Sequence, residues 1–169
     1  MQPLADNQYV INNTLIFPDL IKADNLQDNE EYVSYDVESL FTSIPVDETI
    51  DYICDQIYVH KKLAPFCKKR LTFKRLLQRL TKECVFSFND ELIKQIDGCP
   101  MGGSLSVVFS GIFMAKMEHD VVYPHHPPFY KRYVDDIITR RIYPHHPRLF
   151  ILITRVSLGE FMLITRAFL

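Results

Sequence analysis

Phe-Tyr-Lys-Arg-Tyr-Val-Asp-Asp, at residues 129–136, is the stretch of sequence that decides the fold. Residues 129–134 and 137–142 are rich in side chains that favour β-strands, so they predict two strands joined at Asp135 and Asp136. Adjacent aspartates at the tip of a hairpin repel each other, but aspartate is also common in solvated turns. This stretch alone therefore leaves open both a plain surface turn and a metal-binding site.

A third aspartate stands at the end of a separate predicted strand. Residues 31–37 alternate polar and apolar side chains, and Asp36 lies near the end of that segment. If this strand neighbours the hairpin in one sheet, Asp36 converges with Asp135 and Asp136, and such a cluster repels itself unless divalent cations are bound. Oxygen ligands suit Mg²⁺, which takes the rest of its shell from water and substrate phosphates. We therefore predict that these aspartates hold two Mg²⁺ ions, with Mn²⁺ as an alternative, in a site for nucleotidyl transfer.

Helical periodicity is clearest in the middle of the chain. A helix is predicted to begin after Pro45, with an apolar stripe at Val46, Ile50, Ile53 and Ile57. A second helix is predicted to begin at Thr72 as its N-cap, with an apolar stripe at Phe73, Leu76, Leu77, Leu80 and Cys84. Residues 9–26 predict a short helix that is broken near Pro18. These helices, together with the strands, are typical of an α+β fold.

Two further elements are predicted between the helices and the Asp135-Asp136 hairpin. Residues 85–96 predict a second hairpin, because Asn89-Asp90 is a favourable two-residue turn. A helix is then predicted from Ser104 or Ser106 to about residue 121, and its apolar character on most sides indicates that it is buried. The fold class is therefore α+β, with a small antiparallel sheet that carries the aspartates and helices packed on one face.

Charged side chains are unevenly distributed, although the net charge is only −2. Nine of the 19 basic residues lie between Lys61 and Lys82, and ten of the 21 acidic residues lie between Asp24 and Asp55. The low net charge argues against a protein that coats nucleic acid, because such proteins are strongly basic. The two segments suit an enzyme that holds cations in one place and a phosphate backbone in another, with a solvated helix face as the equal alternative for the basic run.

Three segments resemble, in order, the palm motifs of reverse transcriptases. Residues 33–45 (Val-Ser-Tyr-Asp-Val-Glu-Ser-Leu-Phe-Thr-Ser-Ile-Pro) resemble the first motif, residues 98–106 (Gly-Cys-Pro-Met-Gly-Gly-Ser-Leu-Ser) the second, and residues 129–136 the third. The resemblance is greatest to the Penelope-like class of retroelements and covers about residues 9–141. It implies RNA-directed DNA polymerisation by a palm domain, with an RNA template, a DNA primer and dNTPs as partners.

The resemblance also implies roles for individual residues. Asp36 and Asp135 match the principal metal ligands of the family, and Asp136 matches the auxiliary carboxylate beside them. These three residues are therefore the predicted catalytic and metal-binding groups.

Four other residues match substrate-binding positions of the family. Phe41 matches the steric gate, an aromatic ring that excludes a 2′-hydroxyl, although core packing is the alternative for such a residue. Met101 and Gly102 match the loop over the incoming nucleotide and template base. Tyr133 matches a position near the primer terminus.

The motifs predict a division of the chain and several departures from the family. Residues 1–30 are interpreted as a remnant of the fingers or a connecting segment, residues 31–142 as the palm, and residues 143–169 as an aberrant tail. Only Lys22 is basic upstream of Asp36, so the fingers are expected to be incomplete, and no thumb motif is found. Two alternatives to an active polymerase therefore stay open: an inactive nucleic-acid-binding remnant of such an element, and an expressed fragment without function.

Composition excludes several other classes of protein. The chain of 169 residues is 47% hydrophobic and 24% charged, as in ordinary globular domains. Its most apolar stretch, residues 149–169, contains three charged side chains and makes a poor membrane span, so no membrane partner is expected. The four cysteines form no Cys-x-x-Cys pair and predict free thiols in a reducing compartment, the nucleus or the cytoplasm. The His-His pairs at 125–126 and 145–146 lack the spacing of a zinc site and are interpreted as proline-flanked loops.

Overall fold

The computed structural model of this protein describes residues 2–142 and has the predicted α+β architecture. The predicted tail at residues 143–169 lies outside the described residues. Short 3₁₀ turns occur at Thr14–Ile16 and Tyr123–His125, and a π-helical turn occurs at Glu118–Val122. The helices are α1 (Gln2–Ala5), α2 (Phe17–Ala23), α3 (Leu40–Ser43), α4 (Val46–Tyr58), α5 (Arg70–Lys82) and α6 (Ser106–Met117). The strands are β1 (Glu30–Asp36), β2 (Val85–Phe88), β3 (Glu91–Lys94), β4 (Tyr130–Tyr133) and β5 (Asp136–Ile142).

The chain divides into two compact units. Residues 2–6 and 39–115 form the first, which we call the helical unit because α3, α4 and α5 belong to it. Residues 7–38 and 116–142 form the described part of the second, which we call the sheet unit. No helix among residues 2–142 combines the length and apolar character that crossing a membrane requires.

The sheet unit contains a three-stranded antiparallel sheet in the order β1-β5-β4. Side chains alternate between its two faces, as in any strand. Val33 and Tyr35 of β1 and Ile137 and Thr139 of β5 are buried, so these positions form the core face. Asp36 lies on the other face, because it follows Tyr35 in the alternation. The prediction that β1 neighbours the Asp135-Asp136 hairpin is therefore confirmed.

Helix α4 confirms the predicted apolar stripe of the helical unit. Pro45 is its N-cap, and Val46, Ile50, Ile53 and Ile57 are all buried. Asp47 and Glu48 lie in the first turn, where carboxylates offset the partial positive charge of the helix N-terminus. Local sequence therefore favours a helix at the same place where burial requires one.

The acidic face of α4 pairs with a basic face of α5. Arg70 contacts Asp55 at 2.7 Å, Lys74 contacts Asp51 at 2.5 Å, and Lys82 forms an ion pair with Asp47. The order of these pairs along the two helices shows that α4 and α5 run antiparallel. Much of the segregated charge in the sequence therefore lies in ion pairs between these two helices. For the six side chains of these pairs, the interpretation that separate segments hold cations and a phosphate backbone is wrong.

Helix α5 differs from its prediction at its start and in its buried face. It begins at Arg70, because the Phe73 amide donates to the Lys69 carbonyl, so Thr72 is not the N-cap. Phe73, Leu77 and Thr81 are buried. The predicted stripe was wrong at Leu76 and Leu80, which are exposed. The buried residues thus follow a narrower i, i+4, i+8 line, and the side chains that pair with α4 lie beside it.

Of the remaining local predictions, two are confirmed and one is wrong. The β2–β3 hairpin is confirmed, with Asn89 and Asp90 both at positive φ as a two-residue turn of this kind requires. The prediction that Pro18 breaks a helix is wrong. Pro18 lies in the first turn of α2, where its missing N–H costs nothing. The four cysteines are free thiols, as predicted.

Candidate active site

Asp36, Asp136 and Tyr133 form one row across the three strands of the sheet unit. Asp36 of β1 is the direct register partner of Asp136 of β5, and Asp136 is also the register partner of Tyr133 of β4. Directly opposed residues of antiparallel strands project on the same face, with Cβ atoms about 4.5–5.5 Å apart. The fold therefore brings two of the predicted carboxylates and the predicted primer-side tyrosine together on the face away from the core.

Asp135 completes the carboxylate group from the turn between β4 and β5. The turn residues are Val134 and Asp135, and Asp136 already belongs to β5, so the predicted tip at Asp135-Asp136 is displaced by one residue. Val134 has a φ of 55°, which is an outlier for a β-branched residue. The Val37 amide donates to the Asp135 carbonyl at 3.1 Å, so the end of β1 is tied to the turn. Strained backbone of this kind is common at functional sites.

A buried ion pair supports the strained turn from the core side. Arg132 and Glu118 are 2% and 1% exposed, and the Arg132 Nε donates to a Glu118 carboxylate oxygen at 2.5 Å. Asn7 donates to the other Glu118 oxygen at 2.6 Å. The Arg132 Nη1 donates to the Val134 carbonyl at 3.0 Å. The guanidinium thus connects a buried carboxylate to the turn that carries Asp135.

The neighbouring carboxylates perturb Asp136. The pKa of Asp136 is raised above its ordinary value, first by desolvation and then by the negative charges of Asp135 and Asp36. Among residues 2–142, however, no three Asp, Glu, His or Cys side chains are arranged as a preassembled metal site. The oxygen donors of Asp36, Asp135 and Asp136 suit Mg²⁺ chemically, and Mg²⁺ in such sites takes much of its shell from water and substrate phosphates.

A cavity of about 300 Å³ adjoins this row of side chains. Asp136, Tyr133 and Lys131 line it together with Ser34, and Ile11 is among the apolar residues of its wall. Lys131 was not predicted as a site residue. The alternation along β4 would have found it, because Lys131 and Tyr133 share one face of that strand. Its ammonium donates to the Gln8 carbonyl at 2.8 Å.

The other predicted substrate-binding residues belong to the helical unit. Phe41 is half-buried, and its carbonyl accepts the Cys99 amide at 2.7 Å. This bond joins α3 to the loop that carries Met101 and Gly102. Met101 is 72% exposed, and Gly102 has a φ of 82° with open space around its Cα. The structure thus brings the predicted gate residue next to the predicted nucleotide loop within this unit.

Gly98 and Gly102 allow a test of how tightly this loop is held. Both have positive φ, but a Cβ at Gly98 would lie 2.3 Å from the Thr42 carbonyl oxygen, whereas at Gly102 it meets nothing. We expect Gly98→Ala to lower the free energy of unfolding by about 3 kcal/mol, because strain and backbone overlap combine. Gly102→Ala is expected to cost about 1 kcal/mol, from strain alone. Urea denaturation measures both, and equal losses would contradict the close approach of Gly98 to α3.

Comparison with known proteins identifies the fold. No protein-family model and no curated protein sequence matches this chain. Among solved structures, telomerase from Candida albicans matches with a TM-score of 0.61 and 12% identity over 90% of this chain. Two structures of telomerase from Candida tropicalis match with TM-scores of 0.58 and 0.52, at 13% and 15% identity, again over 90% of this chain.

The coverage of these telomerases is partial. This chain spans 29%, 32% and 30% of the three telomerase chains. At such low identity the similarities show the fold alone, and they agree with the antiparallel sheet and helices described above. The chain therefore has a polymerase palm-like α+β fold.

Proposed function

We propose that this chain is the palm of an RNA-directed DNA polymerase from a retroelement, similar to those of the Penelope-like class. The observation that carries the proposal is the register of the sheet. It makes Asp36 and Asp136 direct partners and places Asp135 in the adjoining strained turn. Carboxylates directly opposed across strands destabilise a sheet, so a role outside folding explains this arrangement better than a folding role does.

The structural comparisons support a polymerase over other uses of such a cluster. The telomerases that share this fold are themselves reverse transcriptases, and one of them was solved with a fragment of telomeric RNA. A nucleic acid is therefore the natural partner to test first. Because the chain spans only about 30% of those telomerases, the activity of a whole polymerase is part of the proposal.

The three aspartates would act as the metal-binding groups of this reaction. Asp36 and Asp135 would be the principal ligands of two Mg²⁺ ions, with Asp136 as the auxiliary carboxylate. The bound ions would supply charge stabilisation for the attack of a primer 3′-hydroxyl on the α-phosphate of a dNTP, with pyrophosphate as the leaving group. Arg132 would act as a positioning residue, because it fixes the turn that carries Asp135 and touches no reacting atom.

The remaining predicted residues would select and orient the substrates. Tyr133, 46% exposed and in register with Asp136, is suited to contact a primer terminus. Phe41 would exclude a 2′-hydroxyl, since its backbone is held by Cys99 and its ring is half-buried. Met101 and Gly102 are exposed and would lie against the nucleotide and template base. Met101 would do so by packing, because a thioether donates no hydrogen bond.

Primer extension on poly(rA)·oligo(dT) with dTTP and Mg²⁺ tests the proposal. We expect wild-type protein to extend the primer and Asp135→Asn to lose at least about a hundredfold in rate, because charge stabilisation by metal ions is worth several kcal/mol. Asp120→Asn is the matched control, since Asp120 is an exposed carboxylate of the same unit that pairs with Lys116. It should extend like wild type.

The same assay tests the alternative, an inactive nucleic-acid-binding remnant. Soluble, folded wild-type protein that binds the primed template but never extends it would contradict polymerase activity and select the remnant. Extension that is equal in wild type and Asp135→Asn would show a contaminating polymerase and would also reject the assignment of Asp135.

A further inference from the structure

The side chains of α5 fall into lines that run along the helix at a spacing of about four residues. The buried line consists of Phe73, Leu77 and Thr81. The line beside it bonds to aspartates of α4 and consists of Arg70, Lys74, Gln78 and Lys82. The covered half of α5 therefore combines an apolar line with a polar line, and an acidic helix packs against both.

The uncovered half of α5 repeats this combination. Arg75 and Arg79 are exposed and form no ion pair or side-chain hydrogen bond with any residue that the structure describes. Leu76 and Leu80 form the adjoining line and are 36% and 53% exposed. Each of the two arginines precedes one of the two leucines, so a cationic line runs beside an aliphatic line on the surface.

A groove of about 710 Å³ opens along the uncovered half of α5. Arg75, Leu76 and Arg79 line it, and Lys94 of β3 adds a further cation. Among the described residues that line the groove, Glu83 is the one acid. The groove is therefore cationic in a protein whose net charge is −2, and it includes aliphatic surface.

The aliphatic line distinguishes between two classes of partner. The backbone of a nucleic acid would pair with the arginines, but its phosphates and sugars are polar and would leave the leucines in water. A protein helix can meet both lines at once, because its own side chains recur at the same spacing. Such a helix needs carboxylates on one line and apolar side chains on the adjoining line.

Helix α4 shows this kind of recognition within the same chain. Its carboxylates recur every four residues, at Asp47, Asp51 and Asp55, and the buried Val46 and Ile50 each precede one of them. Among residues 2–142, no second helix carries carboxylates at this spacing. Residues 143–169 contain one acidic residue. The uncovered half of α5 therefore has no matching helix within this sequence.

We propose that the uncovered half of α5 docks an acidic amphipathic helix of a partner protein. Arg75 and Arg79 pair with its carboxylates, and Lys94 adds to the attraction. Leu76 and Leu80 pack against its apolar line. This docking goes beyond the proposed function, because it joins the helical unit to a second protein and depends on neither the three aspartates nor the proposed reaction.

Fluorescence anisotropy with a designed helical peptide tests the proposal. The probe consists of about 20 residues of Glu-Leu-Ala-Ala repeats, which is long enough to form a helix and places glutamate and leucine on adjoining lines. We expect Arg75→Gln/Arg79→Gln to bind it about fivefold more weakly than wild type, because two ion pairs are lost. Leu76→Gln/Leu80→Gln should bind about tenfold more weakly, because apolar burial is lost. Glutamine keeps the helix propensity in both variants.

A charge-matched variant and an uncharged peptide are the controls. Lys61→Gln/Lys62→Gln removes the same charge from exposed side chains in the loop after α4, and should bind within about twofold of wild type. A peptide of Gln-Leu-Ala-Ala repeats should bind wild type about fivefold more weakly than the acidic probe. Equal weakening by the arginine and lysine variants would overturn the proposal, because general electrostatics would then explain the binding. So would wild-type protein that binds the acidic probe no better than the uncharged peptide.

The leucine variant also separates a protein partner from a nucleic acid. Oligo(U) of about 16 nucleotides is added as a competitor. Displacement of the probe by oligo(U), with probe affinity unchanged in Leu76→Gln/Leu80→Gln, would assign the groove to RNA and overturn the proposal. The assay is done in EDTA without dNTPs, so it does not depend on polymerase activity. If wild type extends no primer but binds the probe through these four residues, the docking is supported and only the proposed reaction is rejected.

Discussion

Glu118→Gln is expected to lower the free energy of unfolding by about 3–5 kcal/mol, which is the cost of breaking a buried ion pair by removing one charge. Glu118 and Arg132 are 1% and 3% exposed in their side chains, so the guanidinium left behind would be a buried, unpaired cation. Glutamine keeps the shape of glutamate, so no cavity contributes to the loss. Urea denaturation followed by circular dichroism measures it.

Lys116→Gln is the control for this effect, since Lys116 pairs with Asp120 at 3.1 Å on the surface of the same unit. Exposed pairs contribute about 0–1 kcal/mol, so its stability should stay close to wild type. A loss for Glu118→Gln that is no larger than for Lys116→Gln would show that water reaches the Arg132 guanidinium.

A double variant separates the two roles of Arg132. Glu118→Met/Arg132→Met should recover much of the lost stability, because well-packed apolar side chains often replace a buried ion pair without cost. It still lacks the hydrogen bond from Arg132 to the Val134 carbonyl. We therefore expect a folded protein whose primer extension stays low. Full recovery of extension would contradict the positioning role of Arg132.

Elements whose pattern is local could be predicted from the sequence. Strand β1 follows from the alternation of residues 31–37, and α4 follows from apolar residues at helical spacing after Pro45. The β2–β3 hairpin follows from Asn89-Asp90, which adopts the positive φ values that such a turn needs. For β1 and α4, burial and local propensity require the same structure, whereas the exposed β2–β3 hairpin follows from its turn residues.

The buried ion pair of Arg132 and Glu118, which supports the site, could not be predicted, because it depends on a contact between residues distant in sequence. Arg132 lies beside Lys131, and charged side chains are mostly exposed. Only its pairing with Glu118, 14 residues away, makes burial favourable. The turn between β4 and β5 lies one residue earlier than predicted for a related reason. Sequence disfavours positive φ at Val134, and the Arg132 and Val37 contacts hold the turn there nevertheless.

The rotation of α5 illustrates the same limit. Its leucines suggested a broad apolar face, yet Leu76 and Leu80 are exposed. Three basic side chains of α5 pair with aspartates of α4, and no local pattern shows which basic residues will find a carboxylate. Arg75 and Arg79 are exposed together with these two leucines.

Asp136→Asn is expected to abolish function and to stabilise the metal-free protein at the same time. The variant removes one of three neighbouring negative charges, and like charges directly opposed across strands cost about 0.2–1 kcal/mol. We therefore expect the free energy of unfolding in EDTA at pH 7 to rise by about 0.5–1 kcal/mol. Primer extension should fall by at least about a hundredfold, because a metal-binding carboxylate is lost. Trade-offs of this sign are common where a site is held under strain for activity.

The pH dependence of stability tests independently whether the charge of Asp136 destabilises the folded protein. Because the pKa of Asp136 is raised in the folded protein, the folded form holds its proton more tightly than the unfolded chain does. The contribution of Asp136 to wild-type stability therefore falls as pH rises from the unfolded pKa of about 3.9 through the raised folded pKa, and then levels off. The asparagine side chain of the variant has no such titration. The stability difference between variant and wild type should be near zero in acid and should reach its full size above the folded pKa.

Mg²⁺ should reverse the order of stability of wild type and Asp136→Asn. An ion that binds only the folded state stabilises it by about 1.4 kcal/mol at ten times its dissociation constant. Wild type should gain this stability as Mg²⁺ is titrated at pH 7, whereas Asp136→Asn should gain little, because one of its three carboxylates is gone. Mg²⁺ that stabilises both proteins equally would place the ion elsewhere. A variant that is less stable than wild type in EDTA would show that the Asp136 carboxylate contributes to folding, and the argument that the opposed aspartates exist for metal binding would then fail.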